Sequence, residues 1–241
     1  MDNRALLAAL QRDGAALRDS VASVTLDTPV AACPGWTVSD LIWHLSEVHY
    51  FWGSIVIQRA TGWEQVERVD RVPDAELLET YEATFSRLIG ALTTADPATE
   101  VWTWSEQHDV AFVIRRMAQE TAVHRWDADQ AAGRPADIEA VLASDGIDEF
   151  LKHFLGDVAE GAEPVGGSVH IHCGDTPGEW TLRPSGAGFD VVREHAKGDC
   201  ALRGDASALL LALWRRIPPE AIDIVGDGDL GRRFLALANL E

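Results

Sequence analysis

Apolar residues recur three and four positions apart from Asn3 to about Trp126, then give way to short alternating runs after Ser168. Residues Asn3–Val21 place Leu6, Leu7, Leu10, Leu17 and Val21 at helical spacing. A turn through Thr28–Trp36, containing Cys33-Pro34-Gly35, separates this helix from a second. Thr37-Val38-Ser39-Asp40 supplies its start, with Thr37 as N-cap and Asp40 in the first turn. That helix runs through Leu41, Leu45, Val48, Phe51 and Trp52 to about Ala60. Pro73-Asp74 opens a third through Leu77, Leu78, Tyr81, Phe85, Leu88 and Leu92, ending near Asp96-Pro97. Asp109 caps a fourth carrying Phe112, Val113, Met117, Val123 and Trp126, which Gly133 and Pro135 stop. Four amphipathic helices with connections of moderate length predict a helix bundle.

The texture changes after about Asp137. A helical stretch, Ile138–Leu155, leads into a Gly-rich segment, Gly156–Gly167. Strand-like runs follow at Ser168–Cys173, Glu179–Arg183, Phe189–Glu194 and Cys200–Arg203, with Val169/Ile171 and Trp180/Leu182 in half-buried alternation. Ala206–Arg216 reads as an apolar helix, Ala221–Val225 as a last strand and Asp229–Leu240 as a final helix. The expectation is two domains: a four-helix bundle over residues 1–137 and a small α/β domain over 138–241.

Composition narrows the function classes. The 241-residue chain is globular in make-up, and its longest apolar runs, such as Ala208–Trp214, are too short to span a bilayer. The first residues carry Asp2, Arg4, Arg12 and Asp13 and no signal-peptide core, so a cytoplasmic protein without membrane association is expected. A net charge of −19, with no basic cluster larger than a short pair such as Arg115-Arg116, argues against nucleic acid as a partner. Three cysteines, Cys33, Cys173 and Cys200, lack C-x-x-C spacing and suggest neither a disulfide framework nor a thiolate zinc site.

Candidate chemistry centres on Glu120-Thr121-Ala122-Val123-His124. Four residues apart, Glu120 and His124 differ by only about 40° round a helix, so both side chains leave one face. An imidazole and a carboxylate on adjacent turns can share a metal ion, although an isolated pair at this spacing is more often a solvated helix face. A third ligand would come from another helix. His44, within Trp43-His44-Leu45, faces the fourth helix if it lies on the core side of the bundle. Two histidines and one glutamate would leave an open position, as catalytic zinc sites do.

Two segments carry a resemblance. Cys33-Pro34-Gly35-Trp36-Thr37-Val38-Ser39-Asp40-Leu41-Ile42-Trp43-His44-Leu45 and Glu120-Thr121-Ala122-Val123-His124-Arg125-Trp126-Asp127-Ala128 together resemble the mycothiol-dependent maleylpyruvate isomerase family. Leu213-Trp214-Arg215-Arg216 and Ile224-Val225-Gly226-Asp227 match the texture of that family's C-terminal domain more loosely. The resemblance implies a DinB-like metal-binding four-helix bundle followed by a sterol-carrier-like α/β domain. It also implies His44, Glu120 and His124 as ligands of zinc or another divalent metal, with mycothiol as the thiol cosubstrate. A metal-bound thiolate would then attack a small electrophile, either staying attached as in a thiol S-transferase or leaving again after cis–trans isomerisation. Transfer is slightly favoured, because clamping a dianion requires converging cations and Thr28–Ser54 contains no Lys or Arg. The competing class is a non-enzymatic small-molecule-binding protein with a structural metal or none. Monomer and homodimer both remain open.

Several other residues invite a role. Arg215 and Arg216 follow the apolar run of the second domain, where a guanidinium could bind a carboxylate of substrate or thiol, or cap helix carbonyls. His49 lies about 140° round the helix from His44 and reads as a structural residue. Glu47 reads as a solvated carboxylate and Cys33 as a small apolar loop residue. Asp127 is expected to hold a neighbouring backbone or an arginine. His170 and His172 share a strand face and could bind metal, but nothing else in the sequence completes a set, so strand surface is expected.

Overall fold

The computed structural model describes residues 1–135, 137–186 and 188–240. Contacts divide the chain into two compact units, Met1–Ala136 and Asp137–Glu241. The first contains α1 (Asn3–Val21), α2 (Val38–Gln58), α3 (Leu77–Thr94) and α4 (Val110–Ala131). Helix α1 packs on α4 and α3, and α2 packs on α3 and α4, so the four close a ring in the order α1–α4–α2–α3.

Local chemistry starts each helix where the sequence signals it. Asp2 accepts the Ala5 N–H at 2.7 Å, and Asp109 accepts the Phe112 N–H at 2.9 Å. Asp40 accepts the Thr37 backbone N–H at 2.9 Å and its hydroxyl at 2.8 Å, closing the expected capping box. Helix α2 stops slightly before the expected Ala60, because Arg59 takes a left-handed φ of 49°. Leu17, Val21, Leu41, Ile42, Leu45, Leu77 and Tyr81 meet in the core.

Helix α4 departs from the simple amphipathic pattern. It is buried along most of its length, including Arg116, Gln119, His124, Arg125, Asp127 and Asp129. Buried charge must be paired. Arg125 donates to Asp129 at 2.8 Å and lies 3.6 Å from Asp13 of α1, while Ser20 of α1 donates to Asp129 at 2.5 Å. This network joins α4 to α1, and it compensates Asp129 for its unfavourable place near a helix C-terminus.

The second unit contains α5 (Ala140–His153), α6 (Ala206–Leu213) and α7 (Gly228–Leu235). Its strands are β1 (Val169–Cys173), β2 (Glu179–Ser185), β3 (Gly188–Val192), β4 (Cys200–Gly204) and β5 (Asp223–Gly226). They form one sheet in the order β3-β2-β1-β4-β5, antiparallel throughout except for the parallel β1–β4 pair. Val169, Ile171, Trp180, Leu182, Cys200 and Leu202 are buried on the face that the helices cover. There Gly231 of α7 sits against Ile224, Cys200 and Leu202, and the Trp180 indole donates to Asp148 of α5 at 3.0 Å.

Several element ends differ from the sequence reading, and three in the second unit have a local reason. Helix α6 ends at Leu213 rather than Arg216, because Arg215 adopts a φ of 54°. Helix α7 ends at Leu235 rather than Leu240, since Ala238 pairs with Val158 as an isolated bridge. Strand β3 ends at Val192, where the Glu194 N–H turns back to the Val192 carbonyl at 3.1 Å. The described residues thus hold seven α-helices and one five-stranded sheet, a mixed α+β chain with a helical unit first and a sheet-containing unit second. No described helix is long and apolar enough to cross a membrane.

Candidate metal centre

The turn before α2 builds one wall of the candidate site. The Trp36 N–H donates to the Cys33 carbonyl at 2.9 Å, with Pro34 and Gly35 between them and Gly35 at φ 84°. Proline at the second position and a left-handed glycine at the third are the signature of a type II turn. The turn sets the Trp36 ring 5.0 Å from the His44 ring and stacks it on His124 at 6.2 Å. It also brings the Cys33 Sγ to 3.5 Å from an Asp127 carboxylate oxygen.

Helix α4 supplies the other wall. Arg116, Glu120 and His124 lie on successive turns and share a face. Glu120 Oε1 stands 2.9 Å from His44 Nε2 and 3.3 Å from His124 Nε2. Its other oxygen accepts from Arg116 at 2.9 Å. The two imidazoles meet edge to face with centroids 4.9 Å apart. One donor atom from each of His44, Glu120 and His124 falls within 4.8 Å of the others. Asp127 holds the His124 Nδ1 at 2.9 Å, which leaves Nε2 for the cluster. A carboxylate behind an imidazole is the usual support of a metal-binding histidine.

The donor set therefore fits a divalent ion: two imidazole nitrogens and one carboxylate oxygen, with a back-side carboxylate and a buried cation around them. Burial alone would raise the Glu120 pKa, but hydrogen bonds from His124 and His44 and the Arg116 charge hold it well below the carboxylate range. Burial alone would lower His124, yet hydrogen bonds to Asp127, Cys33 and Glu120 raise it well above its ordinary value. A cation taking the His124 nitrogen must displace that proton, so occupancy should fall as pH falls.

The remaining sequence candidates fall out as follows. His49 is fully buried between Tyr81 and Phe85, shares a hydrogen bond with the Thr121 hydroxyl at 3.1 Å and is not among the grouped donors. Glu47 is exposed. Arg215 donates to the carbonyls of Leu235, Ala236 and Ala238 at the end of α7, a capping arrangement. Arg216 donates to the Trp214 carbonyl at 3.1 Å. Asp127 holds a histidine, where a backbone group or an arginine was expected. Cys33 has His124 and Asp127 beside it, although no such neighbour exists in sequence. Arg116, read from sequence only as half of a basic pair, is buried against Glu120; its position one turn before Glu120 was the available signal. His170 and His172 do not stand alone on their strand, because the structure brings Glu179 and His195 to them.

A bundle closing two imidazoles and a carboxylate into one cluster, followed in the same chain by a small mixed α+β unit, defines a two-unit class of candidate metalloprotein. Family models match both units. Residues 7–129 match the mycothiol maleylpyruvate isomerase N-terminal domain, and residues 141–233 match the C-terminal domain of the same proteins. The chain belongs to the mycothiol maleylpyruvate isomerase family, a family of enzymes. Two solved structures share the fold, that of the mycothiol-dependent maleylpyruvate isomerase and that of its histidine-to-alanine mutant. Each is 14% identical to this chain, with a TM-score of 0.67 and 93% of both chains covered. No curated protein sequence matches.

Proposed function

We propose that this protein is a mycothiol-dependent enzyme in which His44, Glu120 and His124 hold a divalent ion, zinc by the chemistry of the donors, beside which the thiol is activated. The convergence of these three side chains from α2 and α4 carries the reading. When bound, zinc stabilises a thiolate that would otherwise be mostly protonated at neutral pH.

The chain's own residues do the rest. Asp127 fixes the tautomer and aim of His124, and Arg116 holds the Glu120 oxygen that faces away from the histidines. Trp36 lies against both imidazoles and limits access of water from that side. A dication and Arg116, set against Glu120 and Asp127, leave one positive charge, which a thiolate would neutralise. Among the described residues the cluster has three donors; Cys33 groups with His124 and Asp127 and not with the full set. Three protein donors suit an open, reactive position better than a closed structural one.

The family name favours addition and release with isomerisation of a maleylpyruvate-like substrate. The cation-poor Thr28–Ser54 segment favours S-transfer to an uncharged electrophile. Both share the same thiol activation. Metal analysis of chelator-free protein tests the site: about one metal in this cluster per chain is expected. Loss of that metal in His124→Ala supports the assignment, and full retention refutes it. Asp127→Asn removes no ligand and should weaken the metal by about 10–100-fold. Metal-loaded protein given mycothiol with maleylpyruvate, then with a fluorogenic alkylating agent, separates the reactions. Turnover of maleylpyruvate without thiol consumption means isomerase; stoichiometric loss of thiol to the alkylating agent means transferase. Inactivity with both removes these two substrates from the reading.

A further inference from the structure

The second unit carries a cluster that thiol activation does not use. His170 and His172 alternate on β1, on the sheet face opposite the helix-covered residues Val169 and Ile171. Register places Glu179 of β2 directly across from His172. His195, on the segment between β3 and β4, folds back over the pair. Its ring centroid lies 5.2 Å from that of His170 and 6.2 Å from that of His172. Glu179 is shared between the two neighbours: His195 Nδ1 stands 3.1 and 3.2 Å from its two oxygens, and His172 Nδ1 contacts Oε1. One donor atom from each of the four residues lies within 4.8 Å of the others.

Hydrogen bonding of Glu179 to His172 and His195 would account for part of this. It does not account for His170, which is only 7% exposed and whose Nε2 is buried with no hydrogen-bond partner. An unpaired buried nitrogen is unfavourable unless something takes its lone pair. The register neighbour of His172 on β4, Arg203, is exposed.

We infer that His170, His172, Glu179 and His195 form a second metal site, taking a divalent transition ion of the zinc class. Three imidazoles and one carboxylate suit zinc, copper or nickel rather than calcium or magnesium, which prefer all-oxygen sets. Four protein donors complete a tetrahedron, so the ion has a structural role. It fastens the Arg193–Asp199 segment across β1 and β2, and His195, at 76% side-chain exposure, is the ligand with most freedom to close on the ion. This site is independent of the His44 cluster.

The test is metal stoichiometry of the full chain, stripped with chelator and dialysed against zinc. Wild type should hold about two ions per chain, and His172→Ala/His195→Ala and His44→Ala/His124→Ala should each hold about one, on the one-ion-per-donor-set pattern. Cobalt or copper loaded into His44→Ala/His124→Ala should show imidazole-nitrogen coupling by paramagnetic resonance, lost when His172 and His195 are also replaced. His195→Asn alone, at an exposed position that cannot threaten folding, should weaken this site about tenfold or more. Equal zinc in wild type and His172→Ala/His195→Ala, or no ion in folded His44→Ala/His124→Ala, would overturn the inference. One ion in wild type that persists in His44→Ala/His124→Ala and vanishes in His172→Ala/His195→Ala would support it while removing the bundle site.

Discussion

His49 offers a direct measure of how much the bundle interior resists charge. The ring is fully buried, packed between Tyr81 and Phe85 with centroids 5.6 and 5.3 Å away, and its Nδ1 has no partner. Burial, the largest influence, pushes its pKa from 6.5 to about 3. A histidine depressed in the folded state contributes stability that is fully present above its unfolded value. That stability is lost as pH falls towards the folded value, because only the unfolded chain takes the proton in between. Each pH unit well inside that window costs about 1.4 kcal/mol. Between pH 7 and pH 5 the single group should therefore remove about 2 kcal/mol of unfolding free energy. His49→Leu removes the titration and leaves the other ionisable groups in place. Urea unfolding of both chelator-treated proteins, followed by tryptophan fluorescence at pH 7, 6 and 5, isolates the difference. The absolute stability of the variant will shift with repacking; the slope with pH is the readout. Wild type should lose about 2 kcal/mol more than the variant over the interval. Parallel loss in the two proteins would refute the reasoning and place His49 in contact with water.

Three stability predictions accompany it. Arg125→Met leaves the buried Asp129 charge with Ser20 but no cation and weakens the pairing of Asp13 inside the α1–α4 network, which should cost about 3–5 kcal/mol by thermal or urea unfolding; adding Asp129→Asn should recover part of it. Gly14→Ala should destabilise by about 1–3 kcal/mol despite alanine's helix propensity, because the new Cβ would stand 2.2 Å from the Phe85 ring. Gly53→Ala should be neutral or stabilising by up to about 1 kcal/mol, since its nearest contact, the Leu88 Cα, is at an ordinary 3.5 Å. Equal effects at the two glycines would mean that α1 and α3 are not in close contact at Phe85.

Local patterning by itself determined where most elements begin and which face of each is apolar. The spacing of Leu6, Leu10, Leu17 and Val21 defines α1 over Asn3–Val21, and Thr37, Asp40 and Asp109 start α2 and α4 because their oxygens satisfy the N–H groups that a helix start leaves unpaired. Spacing also put Glu120 and His124 on one face. Helix and strand ends were less legible, as at Arg59 and Arg215, where a side-chain-bearing residue adopts a left-handed turn that only surrounding contacts hold in place. Tertiary structure alone decided which polar residues are buried and what they meet. Nothing in the sequence of α4 distinguishes Arg125 and Asp129, which pair in the core, from solvated charges, because the pairing depends on Asp13 and Ser20 more than 100 residues away. Asp127 reaches His124 within its own helix, but its meeting with Cys33 depends on the turn before α2. The same holds for His170 and His172: alternation makes them neighbours on β1, while only strand register and the return of the Arg193–Asp199 segment add Glu179 and His195. Periodicity is written in nearest neighbours along the chain, whereas a ligand set is written in distances that exist only once the chain has folded.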